Sequence, residues 1–151
     1  GRAIFPQEPF IPHEEYLLPA RPMVLWHYTR MNDPRWTWGE QFIQLRQDPA
    51  ISAKVKLGLL NKQGWAAYAL NGELFIKQFA LAPEADYPDY GCNMETFTDA
   101  NMLEVESLGP LTTLMANGGI AEHVERWSLW KKEIGSDEAA ISAAILPLLN
   151  A

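Results

Sequence analysis

Asn71-Gly72 lies between two runs that both read as strands, Trp65 to Leu70 and Glu73 to Leu81. An Asn-Gly pair lets both central residues of a tight turn take positive φ, and that turn matches the twist of antiparallel strands. The chain is thereby committed to local antiparallel pairing at this point. The same logic extends along the sequence. Lys54 to Leu60 alternates, with Val55, Leu57 and Leu59 on one side and Lys54 and Lys56 on the other. Pro22 to Tyr28, Glu40 to Arg46, Met94 to Phe97, Met102 to Leu108 and His123 to Lys132 also read as strands. Phe42 and Leu45 are candidate anchors in their run. Strands follow one another through turns, without alternating helices, which predicts an all-β, antiparallel β-sandwich. Ser136-Asp137-Glu138 reads as an N-cap with first-turn acids, opening a C-terminal α-helix over 136–149. Residues 1–22, with Pro6, Pro9, Pro12, Pro19 and Pro22, read as a Pro-rich extended arm, leaving a single sandwich domain over 23–151.

Composition narrows the function classes. The chain has 151 residues, 48% of them hydrophobic and 21% charged, as expected of one globular domain with a real core. A net charge of −7 argues against nucleic acid and anionic membrane surfaces, both of which call for a basic patch. No run of 18 apolar residues occurs, so no membrane-spanning helix is expected. One cysteine and three scattered histidines do not make a zinc site, and no metal or cofactor is expected. The compartment stays open, with a soluble cytoplasmic protein as the default expectation. Six tryptophans stand out, because aromatic faces suit both core packing and stacking on sugar C–H faces.

The segment Cys92 to Pro110, CNMETFTDANMLEVESLGP, carries the most chemistry. It reads as a hairpin turning over Thr98-Asp99-Ala100-Asn101. Closure over those four residues pairs Phe97 with Met102, Glu95 with Glu104 and Asn93 with Glu106. Alternation then gathers Asn93, Glu95, Glu104 and Glu106 on one face. Cys92, Met94, Leu103 and Val105 take the core face, where Cys92 is a buried, inert thiol. Like charges on one sheet face cost stability. The spacing therefore fits a polar site or a solvated outer face with Lys or Arg neighbours. Lys56 is the natural counter-charge if its strand lies next in the sheet.

Five blocks taken together carry a resemblance: LWHYTRMNDPRWTWG, VKLGLLNKQGWAAY, YPDYGCNMETFT, MLEVESLGPLTTL and EHVERWSLW. In order and spacing they are similar to an uncharacterised bacterial branch of the galactose-mutarotase-like superfamily, over Pro22 to Lys132. The resemblance is to the C-terminal portion of that large β-sandwich. It implies a carbohydrate-binding protein, an aldose 1-epimerase acting on a free sugar, or a non-catalytic structural or binding domain of a larger protein. It also implies a fragment, a trimmed domain or a compact version, which would form a homodimer or recruit a missing N-terminal half. In the family a carboxylate base takes the C1 hydroxyl proton and an imidazole acid serves the ring oxygen. The matching positions are Glu106 for the base and His27, before Tyr28, for the acid. The family's acidic residue is followed directly by Pro, whereas Ser107-Leu108-Gly109-Pro110 stands here.

Asn93, Glu95, Glu104, Lys56, Arg35, Trp26 and His123 are the candidate substrate-binding residues. Each also has a plainer role. Asn93 can tie the hairpin to a neighbouring loop. Arg35 can pair with Asp33 to fix the TRMNDPRW loop. His123 can face the pocket or solvent, and Lys56 can be a solvated lysine.

Overall fold

The computed structural model describes residues 1–150. The final residue of the expected 23–151 domain lies outside them. Ten strands form two antiparallel sheets. The strands are β1 (Arg2–Pro6), β2 (Met23–Leu25), β3 (Trp36–Trp38), β4 (Phe42–Arg46), β5 (Val55–Leu59), β6 (Trp65–Leu70), β7 (Glu73–Phe79), β8 (Met94–Thr98), β9 (Leu103–Ser107) and β10 (Glu125–Lys131). The larger sheet runs β10-β7-β6-β1-β4-β3 and the smaller β2-β5-β8-β9. A helix (Glu138–Ile145) and a 3-10 turn (Leu146–Leu148) close the chain. The all-β sandwich with a C-terminal helix is thus what the alternation predicts.

Two cores flank the larger sheet. Between the sheets, Ala3, Phe5, Trp36, Ile43, Leu45, Ala66 and Phe79 meet Val55, Leu57, Leu59 and Met94. On the other face, Ile4, Phe42, Trp65, Ala67, Leu74 and Ile76 meet Ile141, Ala144 and Ile145 of the helix. The larger sheet is therefore buried on both sides, and the smaller on one.

The expected arm over 1–22 fails at its start. Residues 2–6 form β1, hydrogen-bonded between β4 and β6 in the middle of the larger sheet. Ala3, Ile4 and Phe5 are all fully buried. A strand covered on both faces loses the apolar/polar alternation that identifies half-buried strands. The prolines that follow then give it the look of an irregular lead-in. β3 escapes the sequence reading for a related reason: three residues inside a polar loop are too few to show a period.

The Asn71-Gly72 turn forms as expected, with φ of 50° and 77°. The helix is shorter than the expected 136–149. Asp137 is its N-cap, accepting from the Ala140 N–H at 2.8 Å. Pro147 cannot donate a helical bond, so the α-helix gives way to the 3-10 turn. Glu138 accepts from the backbone N–H groups of Gln41 and Phe42 at 2.7 and 3.0 Å, and so seals the start of β4.

Candidate binding site

β5, β8 and β9 lie side by side in the smaller sheet, with Val55, Leu57, Leu59 and Met94 turned into the core. Alternation turns Lys56, Gly58, Glu95, Phe97, Glu104 and Glu106 to the outer face. The observed register pairs Glu95 with Glu106, Phe97 with Glu104 and Thr98 with Leu103. The expected register, which paired Glu95 with Glu104, is displaced by two residues. The cause is Asp99, whose Oδ1 accepts from the Asn101 and Met102 N–H groups at 2.7 and 3.1 Å. That Asx turn moves the bend one residue on. A two-residue slip preserves the faces, so the three glutamates still share one side.

Lys56 is the hub of this face. Its Nζ lies 2.7 Å from Glu95 Oε2 and 3.5 Å from Glu106 Oε2. It also sits 4.9 Å from the centre of the Trp26 ring. Burial works against the lysine charge, but the Glu95 hydrogen bond and the charges of Glu106 and Glu95 hold its pKa above the ordinary value. Glu95 goes the other way from its carboxylate reference. Its burial outweighs the bond from Lys56, and Asp89 nearby adds repulsion, so its pKa is raised. Its Oε1 is buried without a hydrogen-bond partner. Glu104 is pushed up to about 7, first by its hydrogen bond with Glu106, then by burial and the Glu106 charge. Near neutrality Glu104 is therefore partly protonated. Burial also raises the Tyr28 phenol, and the charges of Glu104, Glu95 and Glu106 add to it. Tyr28 itself is 45% exposed.

The loop after β2 brings the aromatics here. The Thr29 hydroxyl accepts from the Lys56 N–H at 2.8 Å and donates to the Lys56 carbonyl at 2.6 Å. It thus extends the β2–β5 pairing by one side chain. Trp26 begins the turn, closed by the Thr29 N–H on the Trp26 carbonyl at 2.8 Å. Beneath it, Gly58 lets the chains approach closely: a Cβ there would run into Cys92 Sγ and stand 3.3 Å from the Trp26 ring. Cys92 is buried, as expected, but against the outer side of the sheet rather than in the core. Burial, then Glu95 and Asp89, push its thiol up to about 12. It is inert at neutral pH. Asp89 reaches the cluster from Pro88–Gly91, where Asp89 and Tyr90 both take left-handed backbone, φ 49° and 62°. Non-glycine residues held there mark backbone that the surrounding structure constrains.

Other expected site residues lie elsewhere. Arg35 is 1% exposed; Nε and Nη2 grip Asp33 at 2.9 and 3.0 Å, and Nη2 also donates to the Ala53 carbonyl at 2.6 Å. It is a buried structural pair. Asn93 is likewise buried. It exchanges bonds with the Asn61 backbone, Oδ1 accepting at 2.6 Å and Nδ2 donating at 2.9 Å. His27 is exposed in the turn, and among the described residues no contact joins its imidazole to the carboxylates. His123 sits across β9 from Glu106: its Nε2 is 2.8 Å from Ser107 Oγ. Ser107 donates to Glu125, which also pairs with Lys77 at 3.0 Å. The hydroxyl hydrogen is directed at the carboxylate, so the imidazole is the donor to Ser107. This is not the arrangement of an activated serine.

Tyr28 and Asp89 belong to the cluster although sequence reasoning did not select them. Tyr28 had a signal, two positions after Trp26 at a strand end. Asp89 had none, because left-handed backbone in a non-glycine residue cannot be read from spacing. A separate cleft is lined by Leu60, Leu81, Tyr87, Tyr90 and Leu111. Among the described residues no group of His, Cys, Asp and Glu suited to a metal ion occurs, and no helix is long and apolar enough to cross a membrane. No family model matches this sequence, and neither the curated proteins nor the solved structures compared with it give a match.

Proposed function

We propose that the outer face of the smaller sheet is a carbohydrate-binding surface. One observation carries this reading: an ammonium and three glutamates converge beside Trp26 and the exposed ring of Tyr28, and Lys56, Glu104 and Glu106 of that cluster keep part of their surface open. A polyol suits such a face. Its hydroxyls donate to carboxylates and accept from Lys56, and its C–H faces stack on the rings. The face is open rather than enclosed, which favours a binding module over a closed reaction chamber.

A second reading has an observation of its own. Glu104, shifted to about 7 by Glu106, puts an acid and a base side by side. The anomeric hydroxyl and the ring oxygen of an aldose share one carbon, so adjacent carboxyl groups can serve both. Glu106 would take the O1 proton as Glu104 gives one to the ring oxygen. The C1–O5 bond breaks as the C1 carbonyl forms, and reversal after rotation about C1–C2 yields the other anomer. This is the epimerase chemistry that the mutarotase-like resemblance implies, with Glu104 in place of His27 as the acid.

Proton NMR on the protein with freshly dissolved aldoses separates the two. Saturation transfer that is lost in Tyr28→Ala, without faster anomer exchange than buffer, supports the module. Exchange above buffer, lost in Glu106→Gln, supports the epimerase. Absence of both signals across the panel contradicts both readings.

A further inference from the structure

β10 is a free edge of the larger sheet. The Lys132 N–H bonds the Gly72 carbonyl at 2.8 Å, and the β10–β7 register continues it through Trp130 opposite Leu74 and Ser128 opposite Ile76. Alternate residues of an antiparallel strand bond to the same neighbour. The even-numbered residues therefore face β7. Glu125, Trp127, Leu129 and Lys131 direct their backbone N–H and C=O groups away from the sheet. Among the described residues, no other backbone hydrogen bond engages the N–H and C=O groups of these four residues. Their side chains lie on the face where β10 overhangs the smaller sheet. There Trp127, 64% exposed, meets Phe75 edge-on at 5.5 Å, and Leu129 is 75% exposed. An exposed apolar edge strand is a template for another strand.

We propose that the partner at this edge is a second copy of the chain, joined β10 to β10 about a two-fold axis through Ser128. The sequence Glu125-Arg126-Trp127-Ser128-Leu129-Trp130-Lys131 is self-complementary in that register. Glu125 meets Lys131 of the second copy at both ends. Trp127 meets Leu129 of the second copy on either side of the axis, and Ser128 meets itself. The hydrogen-bonding pattern agrees independently. Glu125, Trp127, Leu129 and Lys131 are the residues whose backbone groups point outward, and this register pairs them with one another. Ser128, whose backbone groups face β7, falls at a non-hydrogen-bonded position on the axis. Edge charges that guard against pairing repel in any register, whereas these attract in this one. The two-fold makes the interface closed, so it stops at a dimer. The two larger sheets become one continuous twelve-stranded sheet, and the acidic faces of the smaller sheets stay free.

Sedimentation across a concentration series, with the Ser128→Cys variant oxidised in parallel, tests the proposal. Non-hydrogen-bonded residues across antiparallel strands have Cα atoms about 4.5 Å apart, inside the roughly 4.4–6.8 Å range of disulfides. Ser128→Cys is expected to cross-link to a covalent dimer, and Trp130→Cys, opposite Arg126 rather than itself, is not. Leu129→Pro removes an outward N–H without touching the β7 ladder, and is expected to leave a folded monomer. A wild-type chain that stays monomeric at every concentration overturns the proposal. So does a dimer that fails to cross-link through Ser128→Cys or that survives Leu129→Pro.

Discussion

Two charged groups lie close to the same small sheet and differ in one respect. The Asp33–Arg35 pair is closed: the guanidinium is fully buried, grips both carboxylate oxygens and also donates to the Ile51 and Ala53 carbonyls. The Lys56–Glu95–Glu106 group is open: one ammonium serves two carboxylates, the Lys56 and Glu106 side chains are 17% and 34% exposed, and Glu104 beside them is raised to about 7. Burying charge is costly unless every polar atom is satisfied. A satisfied pair can be explained by structure alone. The second group keeps Lys56, Glu104 and Glu106 partly exposed beside Tyr28, so we assign the loop-fixing role to the first and the ligand to the second.

The largest expected effect breaks the closed pair. Arg35→Met strands the Asp33 carboxylate, whose pKa Arg35 now holds low through its side-chain hydrogen bond. The loss should be about 3–5 kcal/mol, read from urea unfolding. Sugar binding by the remaining folded protein should be unchanged. Next comes the support of the open cluster. Gly58→Ala drives a methyl group into Cys92 Sγ and should cost about 1–3 kcal/mol. The double variant Gly58→Ala/Cys92→Ala should recover part of that loss in the same unfolding assay.

A smaller effect has the opposite sign. Glu104 is raised from 4.5 to about 7 in the folded chain. Between those values the folded state holds a proton that the unfolded state has released. Its contribution to stability is thus fully present below about pH 4.5 and is lost as pH rises through about 7. Glu104→Gln removes the repelling charge. It should stabilise the protein by about 1 kcal/mol at pH 8, allowing for solvent screening of this half-buried pair. The gain should vanish at pH 4, in melting curves taken at both. The smallest effect is kinetic: native Cys92 should react with a disulfide reagent at pH 8 far more slowly than the unfolded chain, because its thiol is held near 12.

Legibility in the sequence followed the same division between half-buried and fully buried elements. β5 and the β6–β7 hairpin were readable because one face of each differs in polarity from the other, or because Asn71-Gly72 fixes the turn. β1 was hidden because both of its faces are core. The shared face of Glu95, Glu104 and Glu106 was readable from parity alone, and parity survived the Asp99-driven register shift. Lys56 followed from its own alternation. Arg35 and Asn93 misled because their residue types suit ligands as well as loops, and only their burial separates the two uses. Cys92 sits beside the outer face because Gly58 leaves room for it, a contact between strands that no local pattern records.

The most direct test of the open cluster is a two-dimensional amide and indole NMR titration of the labelled protein with the aldose that gives the strongest saturation transfer. The account predicts shifts of the Trp26 indole and of the Lys56, Glu95, Glu104 and Glu106 amides, with Arg35 and Asn93 unmoved. Shifts confined to the cleft around Tyr87, Tyr90 and Leu111, or no shifts at saturating sugar, would contradict it.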